Sequence, residues 1–148
     1  MDQKSGIMIS IRPEWTERIK DGSKTLDLRK SKPKQDTPFT CYIYESGEYE
    51  PAYNISKYAG MYRPGSVIGE FTCDCILEHC EMANIDLAEQ MSLVKRENIR
   101  KYAKRGVVYG FHIQNLVIYP VPKPLREFGL RRAPQSWCYV QVKRADDA

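Results

Sequence analysis

The sequence predicts an α+β domain, a small mixed β-barrel with short helices packed at its ends. Its 148 residues are enough for one domain and would leave two domains with too little core, so we expect a single domain over residues 1–148. Nine prolines, nine glycines and ten tyrosines are typical of a turn-rich chain with much β-structure. The predicted order is strand, helix, several strands, a helical insert and further strands, which favours a barrel over a layered sheet.

The first part of the chain predicts a strand, a short helix and a second strand. A β-branched run over 7–11 is typical of a strand. Pro13 suits the first turn of a helix and Gly22 can take the left-handed position after one, so we expect a helix over 13–21. Apolar and polar residues then alternate over 25–30, which predicts a half-buried strand.

The rest of the chain predicts strands around a helical insert. Strand patterns recur in four segments, 41–44, 66–77, 107–113 and 137–142, and 117–119 either extends the third or begins another. Between the second and third of these, apolar residues at helical spacing predict two short helices. A capping box of Asp86 and Glu89 would begin the first, and the second would stop at Gly106. The prolines at 120, 122 and 124 should break regular structure. Residues 45–65 predict a long connection, a kind of segment that often carries function.

Basic residues are unevenly distributed along the chain. The net charge is only +4, but lysines and arginines crowd three segments, 20–34, 95–105 and 123–132. This asymmetry indicates a basic face that attracts phosphate, provided that the three groups converge. The alternative is that each group is an ordinary solvated surface.

The sequence predicts a cytoplasmic protein. No apolar run approaches the ~20 residues that cross a bilayer, and the first residues carry no apolar leader, so we expect no membrane contact. Five cysteines are better interpreted as reduced thiols than as a disulfide framework.

Four segments of the chain resemble a known family. They are Ile9–Glu14, Gly22–Lys30, Ile68–Phe71 and Pro134–Trp137. The second matches the pattern Gly-x-Lys-Thr-x-x-x-Arg, and the others follow in the family's order across nearly the whole chain. Together they resemble the ASCH domain, a family of the PUA-like superfamily. The resemblance implies a six-stranded β-barrel with a cleft beside the first helix and a role in binding RNA.

The resemblance also implies that some relatives are hydrolases, which remove an acetyl group from a modified cytidine or cleave RNA. The relatives that remove the acetyl group use a lysine in the Gly-x-Lys-Thr segment, a threonine three residues later and a glutamate elsewhere. Lys24 matches the lysine, whereas Asp27 stands in place of the threonine and removes its hydroxyl. Glu70 is a candidate for the carboxylate, and with Lys24 it would form an acid–base pair if both face one cleft.

The predicted site centres on the turn before the second strand. Lys24 can hold a phosphate or, if desolvated, act as a base; otherwise it is an exposed turn lysine. Arg29 can present a planar fork to a phosphate or base edge with Asp27 orienting it, or the two form a plain surface ion pair. Thr25 belongs to the same pattern.

Further candidates for nucleic-acid binding lie elsewhere in the chain. Tyr44 is an aromatic side chain on which a base can stack. Gln135 and Ser136 offer donors and acceptors suited to a base edge, although they also fit ordinary turn chemistry.

The sequence predicts no metal site and no cofactor. Cys73, Cys75, Cys80 and His79 are close in sequence, but their spacing fits a zinc knuckle poorly, and cysteines in a strand serve well as small apolar groups. His112 is best interpreted as a structural histidine. A phosphate-binding loop and a dinucleotide fingerprint are both absent from the sequence.

Three functions remain open. The first is an RNA- or nucleotide-binding module. The alternative is a small metal-independent hydrolase of a modified nucleoside or of RNA, with Lys24 as base and Glu70 as partner. The third is an adaptor whose charged surfaces meet a protein partner.

Overall fold

The computed structural model describes residues 5–46, 65–79, 85–104 and 106–142. These contain six strands, three helices and one 3₁₀ turn. In chain order they are β1 (Ser5–Ile11), α1 (Pro13–Lys20), β2 (Leu26–Arg29), β3 (Phe39–Glu45), β4 (Ser66–His79), α2 (Ile85–Ser92), α3 (Arg96–Ala103), β5 (Val108–Lys123), the 3₁₀ turn (Leu125–Phe128) and β6 (Trp137–Gln141). Most of the predicted connection 45–65 lies outside the described residues.

All six strands belong to one sheet in the order β2-β5-β4-β3-β1-β6. Strands β1 and β3 run parallel, and the other neighbours are antiparallel. The sheet curls into a half-barrel, which confirms the predicted α+β class. In the described part of the chain no backbone ladder joins the two edge strands. We call this gap between β2 and β6 the seam.

Side chains hold the seam in place of a ladder. The guanidinium of Arg29, at the end of β2, donates to the backbone oxygen of Ser136, just before β6, at 3.4 Å. The indole Nε1 of Trp137 donates to the backbone oxygen of Ser31 at 3.2 Å. Side-chain polar contacts therefore bridge this open side of the half-barrel and leave room between its two edges.

The sheet is buried on both faces because side chains of a strand alternate between them. On β1, Ile7 and Ile9 belong to a cluster that also contains Phe71 and Phe111. Met8, between them, belongs to a second cluster on the other face, where Phe128 from the 3₁₀ turn covers it. The face of the first cluster receives α1 through Ile19.

Two local predictions differ from the structure. Asp86 does not cap α2 but lies in its first turn, where its carboxylate and that of Glu89 bind Arg96 of α3. The capping box is therefore wrong, because both carboxylates serve a contact between helices. The segment 117–119 extends the preceding strand, as one of the two predicted alternatives had it. The prediction that the prolines break regular structure is wrong for Pro120 and Pro122, because β5 continues to Lys123 and ends only before Pro124. Pro120 and Pro122 are tolerated because, among the described strands, β2 pairs only with residues 109–112 and leaves one edge of the second half of β5 unpaired.

None of the described helices is long and apolar enough to cross a membrane. The four described cysteines, Cys41, Cys73, Cys75 and Cys138, are free thiols.

Candidate functional site

A cleft of about 560 Å³ opens at the seam. Its walls come from the end of β1, from α1, from the turn into β2, from α3 and from the segment before β6. The lining residues are Ser10, Ile11, Arg12, Trp15, Lys24, Asp27, Leu28, Arg29, Ser46, Val94, Asn98, Ile99, Tyr102, Gln135 and Ser136. We call this space the seam cleft. It exists because the edge strands meet through side chains and do not pair.

Lys24 enters the seam cleft from a tight turn between α1 and β2. Gly22 takes a φ of 84°, which is open to glycine at no steric cost, and the Lys24 amide donates to the backbone oxygen of Arg18 at 3.0 Å. This turn directs the lysine side chain inward, and only 3% of the residue is exposed. The interpretation of Lys24 as an exposed turn lysine is therefore wrong.

The ammonium of Lys24 lies among polar and aromatic partners. Its Nζ donates to the backbone oxygen of Ser92 at 2.6 Å and lies 4.5 Å from the ring centroid of Trp15. Burial lowers its pKa from the usual 10.5 to about 8, with Asp27 opposing this change and Arg29 adding to it. Lys24 is thus a cation that loses its proton at mildly alkaline pH, well below the pH at which a solvated lysine does.

Asp27 and Arg29 form a buried pair beside Lys24. The Nε of Arg29 donates to Asp27 Oδ2 at 2.6 Å, and a second guanidinium nitrogen donates to Oδ1 at 3.3 Å. Burial opposes the charge of Arg29, but the Asp27 carboxylate outweighs it and raises the pKa of the guanidinium. Since Asp27 is 5% exposed, the interpretation of a plain surface ion pair is wrong.

Arg29 is also the main contact across the seam. Its terminal nitrogens donate to the backbone oxygen of Ser10 at 2.8 Å and to the hydroxyl of Ser136 at 3.3 Å. Ser10 in turn donates from its hydroxyl to the backbone oxygen of Pro134 at 2.7 Å. The guanidinium of Arg29 therefore hydrogen-bonds to protein groups and holds the cleft walls in position.

The structure brings together five of the predicted site residues and leaves three apart. Those that line the seam cleft are Lys24, Asp27, Arg29, Gln135 and Ser136. Thr25 is not among the lining residues. Its backbone amide donates to Met91 at 2.9 Å and its carbonyl accepts from Ile113 at 3.0 Å, so it ties the turn to α2 and β5.

Glu70 and Tyr44 lie elsewhere. Glu70 stands opposite Tyr42 across the β3–β4 ladder, and such partners share one face of a sheet. That is the face of the second cluster, where Glu70 Oε1 accepts a hydrogen bond from the Tyr119 hydroxyl at 2.8 Å. Tyr44 packs against the same cluster. The expected pairing of Lys24 with Glu70 is therefore wrong, and Asp27 is the carboxylate that accompanies Lys24 in the cleft.

Sequence reasoning missed the helical contributions to the site. Trp15 of α1, with Asn98 and Tyr102 of α3, lines the seam cleft, and none of the three was among the predicted site residues. The sequence offered one signal for missed residues of the cleft. Ser10 and Arg12, which line the cleft at the end of β1 and before α1, belong to the first segment of the ASCH resemblance.

Of the three basic groups, the first contributes Lys24 and Arg29 to the seam cleft, whereas the residues that line it from the second segment, Asn98, Ile99 and Tyr102, are uncharged. Lys30, from the first group, places its Nζ 4.7 Å from the ring centroid of Tyr102, which lies on the helix that carries the second group. In the third group, Lys123 packs over Tyr119, the residue that binds Glu70 on the other face of the sheet. The convergence expected for a basic face is therefore partial.

The fold and cleft define an α+β half-barrel with a polar site at its open side, and solved structures share this architecture. The crystal structure of the ASCH protein of Zymomonas mobilis matches with a TM-score of 0.69 and 19% identity, covering 96% of this chain and 90% of that one. A serine-to-alanine mutant of the same protein matches with 0.70 and 18%, covering 99% and 94%. A tyrosine-to-phenylalanine mutant matches with 0.69 and 18%, covering 96% and 92%.

No family model and no curated protein matches the sequence. The chain has the ASCH-domain fold, and the recognition of that fold from the four sequence segments is confirmed.

Proposed function

We propose that this protein binds a nucleotide or a short single-stranded stretch of RNA in the seam cleft. The observation that supports this most directly is the composition of the lining. Three cationic residues, Arg12, Lys24 and Arg29, line the cleft together with the single carboxylate of Asp27. A cleft with this balance of charge attracts an anionic ligand.

The lining also offers partners for a base. Trp15 and Tyr102 provide aromatic faces on which any base can stack, and Tyr102 is 37% exposed. Asn98 and Gln135 carry amides that both donate and accept hydrogen bonds, as the edge of a base requires. The volume of about 560 Å³ is of the size that small ligands occupy in proteins.

The three cationic residues have different roles in binding the ligand. Arg12 is exposed at the rim of the cleft, where a phosphate of the ligand would approach from water. Lys24 has three donors, and Ser92 accepts one of them. Arg29 and Asp27 keep the walls at a fixed spacing, so the site is largely preformed and ordering it on binding costs little.

Fluorescence anisotropy with a short labelled single-stranded RNA tests the proposal. We expect affinity that falls steeply with added salt, because bound phosphates release counterions. Tyr102→Ala should weaken binding about tenfold, the loss of one stacking contact. Arg12→Ala should weaken it and also reduce the salt dependence. Lys123→Ala is the matched control, since it removes the same charge outside the cleft and should leave the affinity unchanged.

Two results would contradict nucleotide or RNA binding. One is a lack of affinity at low salt for any RNA or nucleotide in a panel. The other is an equal loss in Arg12→Ala and Lys123→Ala, which would indicate attraction by overall charge only. Retention of a protein from a lysate by variants that bind no RNA would favour the adaptor.

A second candidate function rests on Lys24 alone. A buried lysine whose pKa is about 8 can act as a general base in the reaction of a modified nucleoside, as in the hydrolase alternative. Asp27, and not Glu70, would then be the carboxylate that orients it. Turnover of acetylated cytidine that persists with chelator, is lost in Lys24→Ala and survives in Glu70→Gln would support this function. Failure to turn over a panel of acylated nucleosides would exclude it.

A further inference from the structure

A β-bulge in the middle of the sheet brings together three side chains of types that can ligate a metal, outside the seam cleft. On the β4–β5 ladder, Cys73 pairs with Ile113 and Ile76 with Phe111. Two residues of β4, Asp74 and Cys75, therefore face one residue of β5, His112. Consecutive strand residues normally point to opposite faces, and a bulge of this kind can redirect one of them.

The three side chains are close enough to share one ion. The carboxylate Oδ1 of Asp74 lies 2.6 Å from His112 Nδ1. One ligand atom from each of Asp74, Cys75 and His112 lies within 4.8 Å of the other two. The side chains of His112 and Asp74 are 23% and 37% exposed, so an ion can reach them from solvent.

We propose that Asp74, Cys75 and His112 form a binding site for one divalent transition-metal ion of the zinc type. The donors are a thiolate, an imidazole and a carboxylate, the three ligand types that Zn²⁺ takes in proteins. Mg²⁺ and Ca²⁺ prefer oxygen ligands only, so a thiolate in the set disfavours them. Three protein ligands leave a fourth tetrahedral position for water.

Metal entry requires a small rearrangement at the Asp74–His112 contact. Two ligands ~2.0 Å from a tetrahedral ion are about 3.3 Å apart, wider than a hydrogen bond of 2.6 Å. The ion replaces the proton that the two groups share, and the side chains separate by less than 1 Å. The thiol of Cys75 releases its proton to water as the ion binds, and the neutral imidazole of His112 keeps its proton on Nε2, which leaves Nδ1 free to ligate the ion.

Two other roles account for fewer of the observations. A structural hydrogen bond explains the Asp74–His112 contact but not the position of Cys75 beside it. A Cys–His–Asp nucleophile requires a hydrogen bond between the thiol and the imidazole, whereas among the described residues the hydrogen bond of His112 goes to Asp74. The metal site uses all three side chains and the bulge that brings them together.

Cobalt titration tests the site because a Co²⁺–thiolate bond gives a charge-transfer absorption that zinc lacks. The full chain is kept reduced with a phosphine, which competes less for metal than a thiol reductant. We expect one Co²⁺ per chain with this absorption, displaced by Zn²⁺. Cys75→Ser should abolish the band. Cys138→Ser is the matched control, another partly buried thiol but on β6, and should keep it.

The site is disproved if no stoichiometric band forms, if the band persists in Cys75→Ser, or if Cys138→Ser removes it. Should Cys75→Ser fail to fold, His112→Asn provides the second test, since it must weaken Co²⁺ affinity at least tenfold while the chain stays folded by circular dichroism. Unchanged affinity in His112→Asn would also overturn the proposal. None of these residues lines the seam cleft, so the result is independent of RNA binding.

Discussion

In the described part of the chain, two clusters of arginine and carboxylate use the same chemistry in different surroundings. In the seam cleft, the side chains of Arg29 and Asp27 are 12% and 6% exposed. Between α2 and α3, Arg96 binds Asp86 and Glu89, and the three side chains are 39%, 83% and 35% exposed. Both clusters have short contacts, so distance alone does not distinguish them.

The difference shows that burial decides what such a cluster contributes. Water screens the charges of the cluster between α2 and α3. Its ion pairs therefore add little to the free energy of unfolding, and their removal costs little. In the cleft there is little water to replace a lost partner, and each charge depends on the other. The buried cluster therefore determines the shape of the site, whereas the outer one only ties two helices together.

The largest expected effect comes from breaking the buried pair. Arg29→Met leaves the Asp27 carboxylate buried without its counter-charge and removes the contacts across the seam. We expect the free energy of unfolding to fall by about 3–5 kcal/mol, measured by urea denaturation at neutral pH. The double variant Asp27→Leu/Arg29→Met should recover much of this loss, since no charge is left buried. A loss below ~1 kcal/mol in the single variant would show that the pair is not desolvated.

A smaller effect should appear in the pH dependence of stability. Lys24 has a pKa of about 8 in the folded protein and near 10.5 when unfolded. Between these values the unfolded chain binds more protons, so the free energy of unfolding contributed by Lys24 rises with pH. The total rise is about 3 kcal/mol, and below pH 8 this contribution is flat.

The comparison of wild type with Lys24→Met isolates this contribution, because other groups titrate equally in both. Urea denaturation at several pH values from 8 to 10.5 should give a steeper rise for the wild type. Parallel curves would mean that the ammonium of Lys24 is as well solvated in the folded protein as in the unfolded chain. The contrast between buried and exposed charges would then not apply to Lys24.

The smallest effect should come from the outer cluster. Arg96→Ala removes both of its ion pairs, yet the free energy of unfolding should change far less than in Arg29→Met. Thermal denaturation at low and high salt tests this, since salt screens exposed pairs and should abolish the remaining difference from wild type. An effect as large as that of Arg29→Met, and insensitive to salt, would remove the distinction between the clusters.

Local signals predicted the elements that depend on neighbouring residues. Pro13 and Gly22 bracket α1, and the turn that follows delivers Lys24 at the position that the sequence pattern indicated. Alternation predicted β2, and with it the shared face of Asp27 and Arg29. Continuous β-structure through Pro120 was not predictable in this way, because a proline's cost depends on whether its strand edge has a partner.

Local signals did not predict the surroundings of site residues whose neighbours are distant in the sequence. Glu70 had a suitable side chain and a suitable strand, but the β3–β4 register places it on the face of Tyr42, away from Lys24. Trp15 and Tyr102 line the cleft, but an apolar stripe on a helix does not reveal whether it meets a packed core or an open seam. Trp15 does both, because it also packs against the first cluster.

By itself the sequence determined the α+β class, the order of its elements and the position of Lys24 in the turn before β2, since these follow from backbone preferences and apolar periodicity over a few residues. Tertiary structure alone decided that the sheet stays open between β2 and β6 and that Asp27 accompanies Lys24. It also decided that a bulge brings Cys75 to His112. These features depend on strand pairing and register between segments far apart in the chain, and no local pattern encodes them.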